Sequence, residues 1–220
     1  MGNGVKTVAL LPGSRRGEIE KILPTLLEAA EKLASEFGDK IRFVIPAATP
    51  RAYSQIEKII RNSSLFTRHS SLLLQHGGAR ELLRCADCAA VASGTATLEA
   101  ALARCPTILV YRMTATLAWF IRHFVMGTRF AGLANIIWDR CRPCAGGSVV
   151  TRKENLELQD PDQPMPELIQ ENFTVESVCR YLRGYLADEN FRDETIRRLD
   201  ASMDYLQTGS DPFTNIIAEL

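Results

Sequence analysis

Pro12-Gly13-Ser14-Arg15-Arg16 places a glycine, a hydroxyl and two guanidinium groups between the apolar run Val8-Ala9-Leu10-Leu11 and a helical pattern that opens at Glu18-Ile19. Gly13 lets the backbone turn and come close to a ligand, and Ser14 can cap the helix that follows. The free N–H groups of the first helical turn and the positive end of the helix dipole attract an anion. Arg15 or Arg16 can add a bidentate contact to phosphate oxygens. The layout suits a phosphate site. Taken alone, it equally suits a strand-turn-helix corner with solvated arginines, because Pro-Gly-Ser is common turn chemistry. The spacing matches neither Gly-x-Gly-x-x-Gly nor the Walker pattern, which argues against a nicotinamide cofactor and against ATP.

A second loop repeats the arrangement. Cys88 to Ala92 reads as a short buried strand, Ser93-Gly94-Thr95-Ala96-Thr97 as a small-residue turn, and Leu98 to Ala103 as a helix start. Ser93 and Thr95 offer hydroxyls, and Gly94 permits close backbone approach. Glu99, on the first turns of the helix, can accept from a ribose diol. Glu99 could instead serve a capping box begun by Ser or Thr. Two such loops on one sheet edge can converge on a single diphosphate, since open α/β sheets bind ligands outside the carboxyl ends of their strands.

The elements that must position these loops alternate along the chain. A strand over Val5 to Leu11 precedes a helix whose apolar positions are Ile19, Ile22, Leu23, Leu26, Leu27, Ala30, Leu33 and Phe37, stopped by Gly38. Strands are expected at Ile41 to Pro46, Leu72 to Leu74, Cys88 to Ala92 and Thr107 to Tyr111. Helices are expected at Pro50 to Arg61, with Pro50 in the first turn, and at Ala79 to Arg84. The alternation predicts an α/β fold with a doubly wound parallel sheet. After Thr114, the residues Leu117, Phe120, Ile121, Phe124 and Val125 form one apolar helix face with Arg122, His123 and Arg129 beside it. This reads as a core-facing helix, with a lipid-touching interface as the alternative. Residues 139–165, with Pro143, Gly146, Gly147, Pro161 and Pro164, read as a long insertion; Pro166 to Phe173 reads as compact and polar. Thr174 caps a helix to about Ala187, and further helices complete 174–220.

The 26 basic and 26 acidic side chains cancel, and no basic run carries interleaved aromatics, so nucleic acid is not an expected partner. Met1-Gly2-Asn3-Gly4 lacks a signal-peptide core, and residues 1–4 read as a start or remnant ahead of a domain over 5–220, as if an excised domain had acquired a start codon. No window approaches the roughly 18 apolar residues of a membrane span, and a cytoplasmic chain is expected. Cys85-Ala86-Asp87-Cys88 and Cys141-Arg142-Pro143-Cys144 could form a tetrathiolate zinc site. Against this, the first pair straddles two elements and the intervening segment is long, so free or buried thiols and no metal are expected. His69, His76 and His123 have no catalytic or metal-ligand spacing.

The series LLPGSRRGEI, ADCAAVASGTATLEAALARCPTILVYRM, LANII and PELIQENFT closely resembles the carboxyl-terminal half of the lipid-A-disaccharide synthase family. The resemblance implies a GT-B fold, two Rossmann-like domains facing across a cleft, of which this chain is the nucleotide-sugar half. It implies a UDP-linked diacylglucosamine donor, a diacylglucosamine 1-phosphate acceptor and release of UDP, with no cofactor and no divalent metal. Gly13, Ser14 and Arg15 then match the phosphate-contacting loop, and Ser93, Gly94, Thr95, Ala96 and Thr97 the second donor loop. Glu99 would hold the ribose. Tyr111, Arg112 and Met113 match a motif beside the cleft, Asn135 the second member of a Pro-Asn pair, and Glu167, Gln170 and Glu171 a late polar motif.

Two departures stand out: Ala134 replaces the usual proline, and the insertion lengthens the path from Asn135 to Gln170. The amino-terminal domain that supplies the acceptor site and the general base is not in these residues. Arg15 and the loop amides would carry the leaving-group charge, and the chain alone is expected to bind UDP without turnover. Association with the inner face of the inner membrane is a further expectation, as is a homodimer, because the final helices of such a half would lack their usual surface. The alternatives are another GT-B UDP-sugar enzyme, such as an epimerase or a glycan-precursor transferase, and a nucleotide-sugar-binding module without chemistry. The histidine and Gly-rich donor motifs of those enzymes differ from SGTATLEAAL. A zinc-stabilised interaction module would require stoichiometric metal and would not bind UDP.

Overall fold

Apolar runs become strands, the central ones buried on both faces, and the computed structural model, which describes residues 4–62, 71–112, 132–141 and 163–207, arranges them in one parallel sheet. The strands are β1 (Lys6–Leu11), β2 (Ile41–Ala47), β3 (Leu72–His76), β4 (Cys88–Ala92), β5 (Thr107–Tyr111) and β6 (Glu167–Ile169). Their order across the sheet is β3-β2-β1-β4-β5-β6, and every neighbouring pair is parallel. The connecting helices are α1 (Arg16–Phe37), α2 (Pro50–Arg61), α3 (Ala79–Cys85), α4 (Thr95–Leu102), α5 (Leu133–Cys141), α6 (Val175–Ala187) and α7 (Glu189–Gln207).

Helix α1 forms because its apolar residues recur on one face, and Ile19, Ile22, Leu23, Leu26 and Leu33 are all fully buried. Each contributes on the order of 2 kcal/mol by leaving water. Pro24 lies inside this helix on its exposed side, where solvent can satisfy the freed carbonyl. Gly38, at φ +59°, ends it. Thr49 caps α2 by accepting from the Ala52 N–H at 3.1 Å, and Thr174 caps α6 by accepting from Ser177 N–H at 3.1 Å.

One face of the sheet packs on α1, α2 and α6 through residues including Phe43, Ile45, Ile56 and Leu182. The other face meets α3, α4, α5 and α7 through Leu83, Ala100, Ala134 and Leu199. The two helices at the end of the described chain therefore pack within this domain, α6 on one face of the sheet and α7 over α4 and α5 on the other.

Two differences from the sequence reading concern the region after β5. The compact polar stretch contains a sixth strand, Glu167–Ile169, paired with β5 through Leu109↔Glu167, Val110↔Leu168 and Tyr111↔Ile169. Residues 139–141 belong to α5, and Gln163 and Met165 are buried, so both ends of the 139–165 segment are part of the folded domain. The apolar helix expected after Thr114 lies outside the described residues, as do positions 142–162 and 208–220. No helix among the described residues is long and apolar enough to cross a membrane.

Candidate functional site

Strands β1 and β4 are sequence-distant neighbours in register Val8↔Cys88, Ala9↔Ala89, Leu10↔Ala90, Leu11↔Val91. Asp87 fixes that register at the amino edge: its carboxylate accepts from Thr7 N–H at 2.8 Å and from Lys6 Nζ at 2.9 Å, and its own N–H donates to the Thr7 carbonyl. The loops that follow the two strands consequently emerge side by side at the carboxyl edge. This is also where the strand order changes direction, with β2 and β3 to one side of β1 and β5 and β6 beyond β4. A crevice between two βα loops at such a reversal is the ligand site of open α/β sheets.

In the first loop, Gly13 adopts φ +98°, and a Cβ there would lie 2.5 Å from Glu18 Oε2. Backbone conformation and space both exclude a larger residue. The helix cap differs from the sequence expectation. Arg15, not Ser14, occupies the cap position, and its carbonyl accepts from Glu18 N–H at 3.0 Å and Ile19 N–H at 3.1 Å. Glu18 reaches back: its carboxylate accepts from the Arg15 N–H at 3.3 Å and from Arg15 Nη1 at 2.8 Å. That reach makes Arg15 the turning point and leaves Ser14 exposed on the loop. The Arg15 side chain is 82% exposed, and its charge is stabilised by the Glu18 hydrogen bond first, with a small contribution from Tyr111. Glu18 was not singled out in the sequence, although its position three residues after Arg15 is the signal for such a contact.

In the second loop, Ser93 N–H donates to the Val110 carbonyl at 3.2 Å, which moors the turn to β5. Gly94, at φ +150°, precedes α4, and Thr95 is exposed beside it. Thr97 is buried, and its hydroxyl donates to the Gly94 carbonyl at 2.7 Å. Its hydroxyl hydrogen therefore stiffens the loop from within. Ala96 is half-buried. Glu99 is exposed one turn along α4, too far from the Gly94 cap to close a capping box.

The remaining site residues lie at the β5 and β6 end of the sheet. Tyr111 closes β5 half-buried. Arg112 Nη2 donates to the Phe173 carbonyl at 2.5 Å, Nη1 to Thr25 Oγ1 at 3.4 Å, and the guanidinium lies 4.9 Å from the Phe173 ring centroid. Asn135 is fully buried, donating to the Met165 carbonyl at 2.6 Å and to Glu167 Oε1 at 2.9 Å. Gln170 carries a positive φ of 54° and begins a short turn in which Glu171 is exposed. His76 ends β3 stacked on Tyr53 at 3.9 Å; His69 and His123 lie outside the described residues.

Cys85 is exposed at the end of α3 and Cys88 is buried at the start of β4. Burial pushes the Cys88 thiol well above its ordinary pKa and the Cys105 thiol up to about 12, so both remain protonated at neutral pH. Among the described residues no cluster of three His, Cys, Asp or Glu could hold a metal; Cys144 lies outside them.

Residues 3–142, which include both glycine loops and reach the end of α5, match the family profile described as lipid-A-disaccharide synthetase. This chain belongs to the lipid-A-disaccharide synthase family. It is 33% identical over 203 residues to the lipid-A-disaccharide synthase of Saccharophagus degradans, covering 90% of this chain and 44% of that protein. The enzyme of the same name from Azotobacter vinelandii is 33% identical over 180 residues, covering 82% and 40%. The chain thus spans less than half the length of these two relatives.

Solved structures with the same fold include the C-terminal domain of a glycosyl transferase group 1 family protein from Francisella tularensis, with TM-score 0.56 and 13% identity over 94% of this chain and 86% of that one. The UDP-GlcNAc 2-epimerase of Neisseria meningitidis, bound to UDP-GlcNAc, gives TM-score 0.53 and 11% identity over 94% of this chain and 45% of that one. The domain is the Rossmann-like half of a GT-B fold. Ala134 is fully buried in the cluster that contains Leu199 and Met203. The insertion does not separate Asn135 from the late polar motif in space, because Asn135 and Glu167 are hydrogen-bonded.

Proposed function

We propose that this chain is the nucleotide-sugar half of a lipid-A-disaccharide synthase, holding UDP-diacylglucosamine for transfer to diacylglucosamine 1-phosphate. The observation that carries the reading is the adjacency of the Gly13 and Gly94 loops at the β1/β4 edge. The diphosphate would lie between the two loops, against loop N–H groups and the first turn of α1. Arg15 has one guanidinium nitrogen engaged by Glu18, which leaves other donors of its planar fork for phosphate oxygens. Glu99, exposed one turn into α4, would accept from the ribose diol.

In the transfer, the acceptor hydroxyl oxygen bonds to the anomeric carbon as the bond to the diphosphate oxygen breaks, leaving its electron pair on UDP. The hydroxyl proton goes to a base. These residues supply charge for the leaving diphosphate; the base and the lipid acceptor site belong to the amino-terminal half of the whole enzyme. A membrane surface would present both lipids to that assembly.

A direct test compares disaccharide formation by this chain alone with formation after the amino-terminal half of the Saccharophagus degradans relative is added. UDP release coupled to disaccharide only in the mixture is the expected result. Robust transfer by the chain alone would contradict the division of labour. Donor binding without transfer in either arm would favour a binding module.

A further inference from the structure

Asn135 and Arg112 resemble ligand residues by type, but their chemistry is committed elsewhere. The Asn135 amide has two N–H donors, and they go to the Met165 carbonyl at 2.6 Å and Glu167 Oε1 at 2.9 Å. Its carbonyl oxygen accepts from Met165 N–H at 3.0 Å. With both donors used and no surface exposed, this side chain has no N–H to offer a sugar. Glu167 Oε1 also accepts from Gly132 N–H at 2.9 Å, so the start of α5 and the start of β6 form one hydrogen-bonded unit across roughly thirty residues of sequence. Arg112 performs the matching task on the far side of β6, gripping the Phe173 carbonyl and ring and reaching Thr25 on α1.

Between these anchors lies the turn Gln170–Asn172, entered through Gln170 at φ +54°. A left-handed conformation at a non-glycine residue costs on the order of 1 kcal/mol or more and persists only where surrounding contacts impose it. The two anchors bracket that residue: one holds the chain two residues before β6 begins and within it, the other holds the residue directly after the turn.

We infer that Asn135 and Arg112 are positioning residues which hold the Gln170 turn at the carboxyl edge, rather than ligands of the donor. The turn would then present Gln170 and Glu171 toward the sugar. That last step rests on the proposed donor site; the control of the Gln170 backbone does not.

The test uses this chain with Asn135→Asp, Glu167→Gln, the double exchange N135D/E167Q, and Arg112→Lys. The first readout needs no ligand: a strong intraresidue amide-to-Hα nuclear Overhauser effect at Gln170 reports positive φ. The second is the ratio of affinities for UDP-N-acetylglucosamine and UDP. Asn135→Asp sets two carboxylates against each other and removes both donors, so the Gln170 signal is lost and the ratio falls about tenfold. In the double exchange the amide introduced at position 167 donates to the carboxylate introduced at position 135. That removes the repulsion between carboxylates but leaves the Met165 carbonyl without its donor and asks the amide at 167 to turn, because Gly132 N–H and the Asn135 amide shared one Glu167 oxygen, so both readouts recover in part. Arg112→Lys loses the forked grip and the Gln170 signal with it.

A Gln170 signal that survives in folded N135D and R112K overturns the inference. So does a ratio that stays low in N135D/E167Q after the signal has returned, because Asn135 would then touch sugar directly. Failure of UDP to bind the unsubstituted chain overturns the donor site, and the Gln170 signal still decides the positioning role.

Discussion

Arg15 and Glu18 meet twice, once through the Arg15 backbone N–H and once through its guanidinium, so a single carboxylate both caps α1 and holds an exposed cation of the Gly13 loop. The same carboxylate sets a negative charge beside the place proposed for a diphosphate. Replacing Glu18 by Gln keeps an acceptor for the Arg15 N–H, releases the guanidinium and removes that charge. Affinity for UDP is expected to rise several-fold at low salt and to approach the unsubstituted value as salt screens the difference. Titration at two ionic strengths checks both parts; an equal loss of affinity at both would show that Glu18 orients Arg15 productively.

Thr97 is committed to the second loop through the hydroxyl hydrogen bond to the Gly94 carbonyl. Thr97→Val keeps the volume and removes one of two donors to that carbonyl, leaving the backbone N–H of residue 97 at 3.2 Å, so the domain should lose about 1 kcal/mol in urea unfolding. UDP affinity should fall as well, because the turn carrying Ser93 and Thr95 loosens. Unchanged affinity in a destabilised Thr97→Val would place this loop outside the nucleotide site.

Acid stability has a local origin between α1 and α6. Arg183 hydrogen-bonds Glu36, and Lys32 hydrogen-bonds Glu176, each holding the carboxyl below its ordinary range. A depressed folded-state pKa stabilises fully above the unfolded carboxylate value of about 4.3 and is lost as pH falls through the folded value. Urea midpoints measured from pH 6 to pH 3 should therefore decline, and the decline should be shallower in Glu36→Gln/Glu176→Gln. Both pairs are solvent-exposed, so the difference should shrink in high salt. An identical acid limb in the double variant would assign acid sensitivity to other groups.

Local chemistry made much of this fold legible. Pro50 marks the start of α2, Thr174 marks α6, and the unbroken apolar run Cys88 to Ala92 is β4 end to end. Strand β6 was not legible, because three residues around a single buried Leu168 carry no periodicity and exist as a strand only through pairing with β5. The two glycine loops could be read as a pair, but their adjacency comes from the β1/β4 pairing, a contact between residues about eighty apart. The resemblance set Arg112 beside the cleft and Asn135 in a Pro-Asn pair; the internal hydrogen bonds of both side chains depend on burial and partner choice, which sequence does not display.

The central claim, that the Gly13 and Gly94 loops form one nucleotide-sugar site, is tested most directly by calorimetric titration of UDP into this chain, with Arg15→Ala and Glu99→Ala alongside. The account predicts saturable binding that each substitution weakens by about tenfold or more, Arg15→Ala through the diphosphate and Glu99→Ala through the ribose, while both variants stay folded. Binding that neither substitution changes, or a folded chain that takes up no UDP, would contradict it.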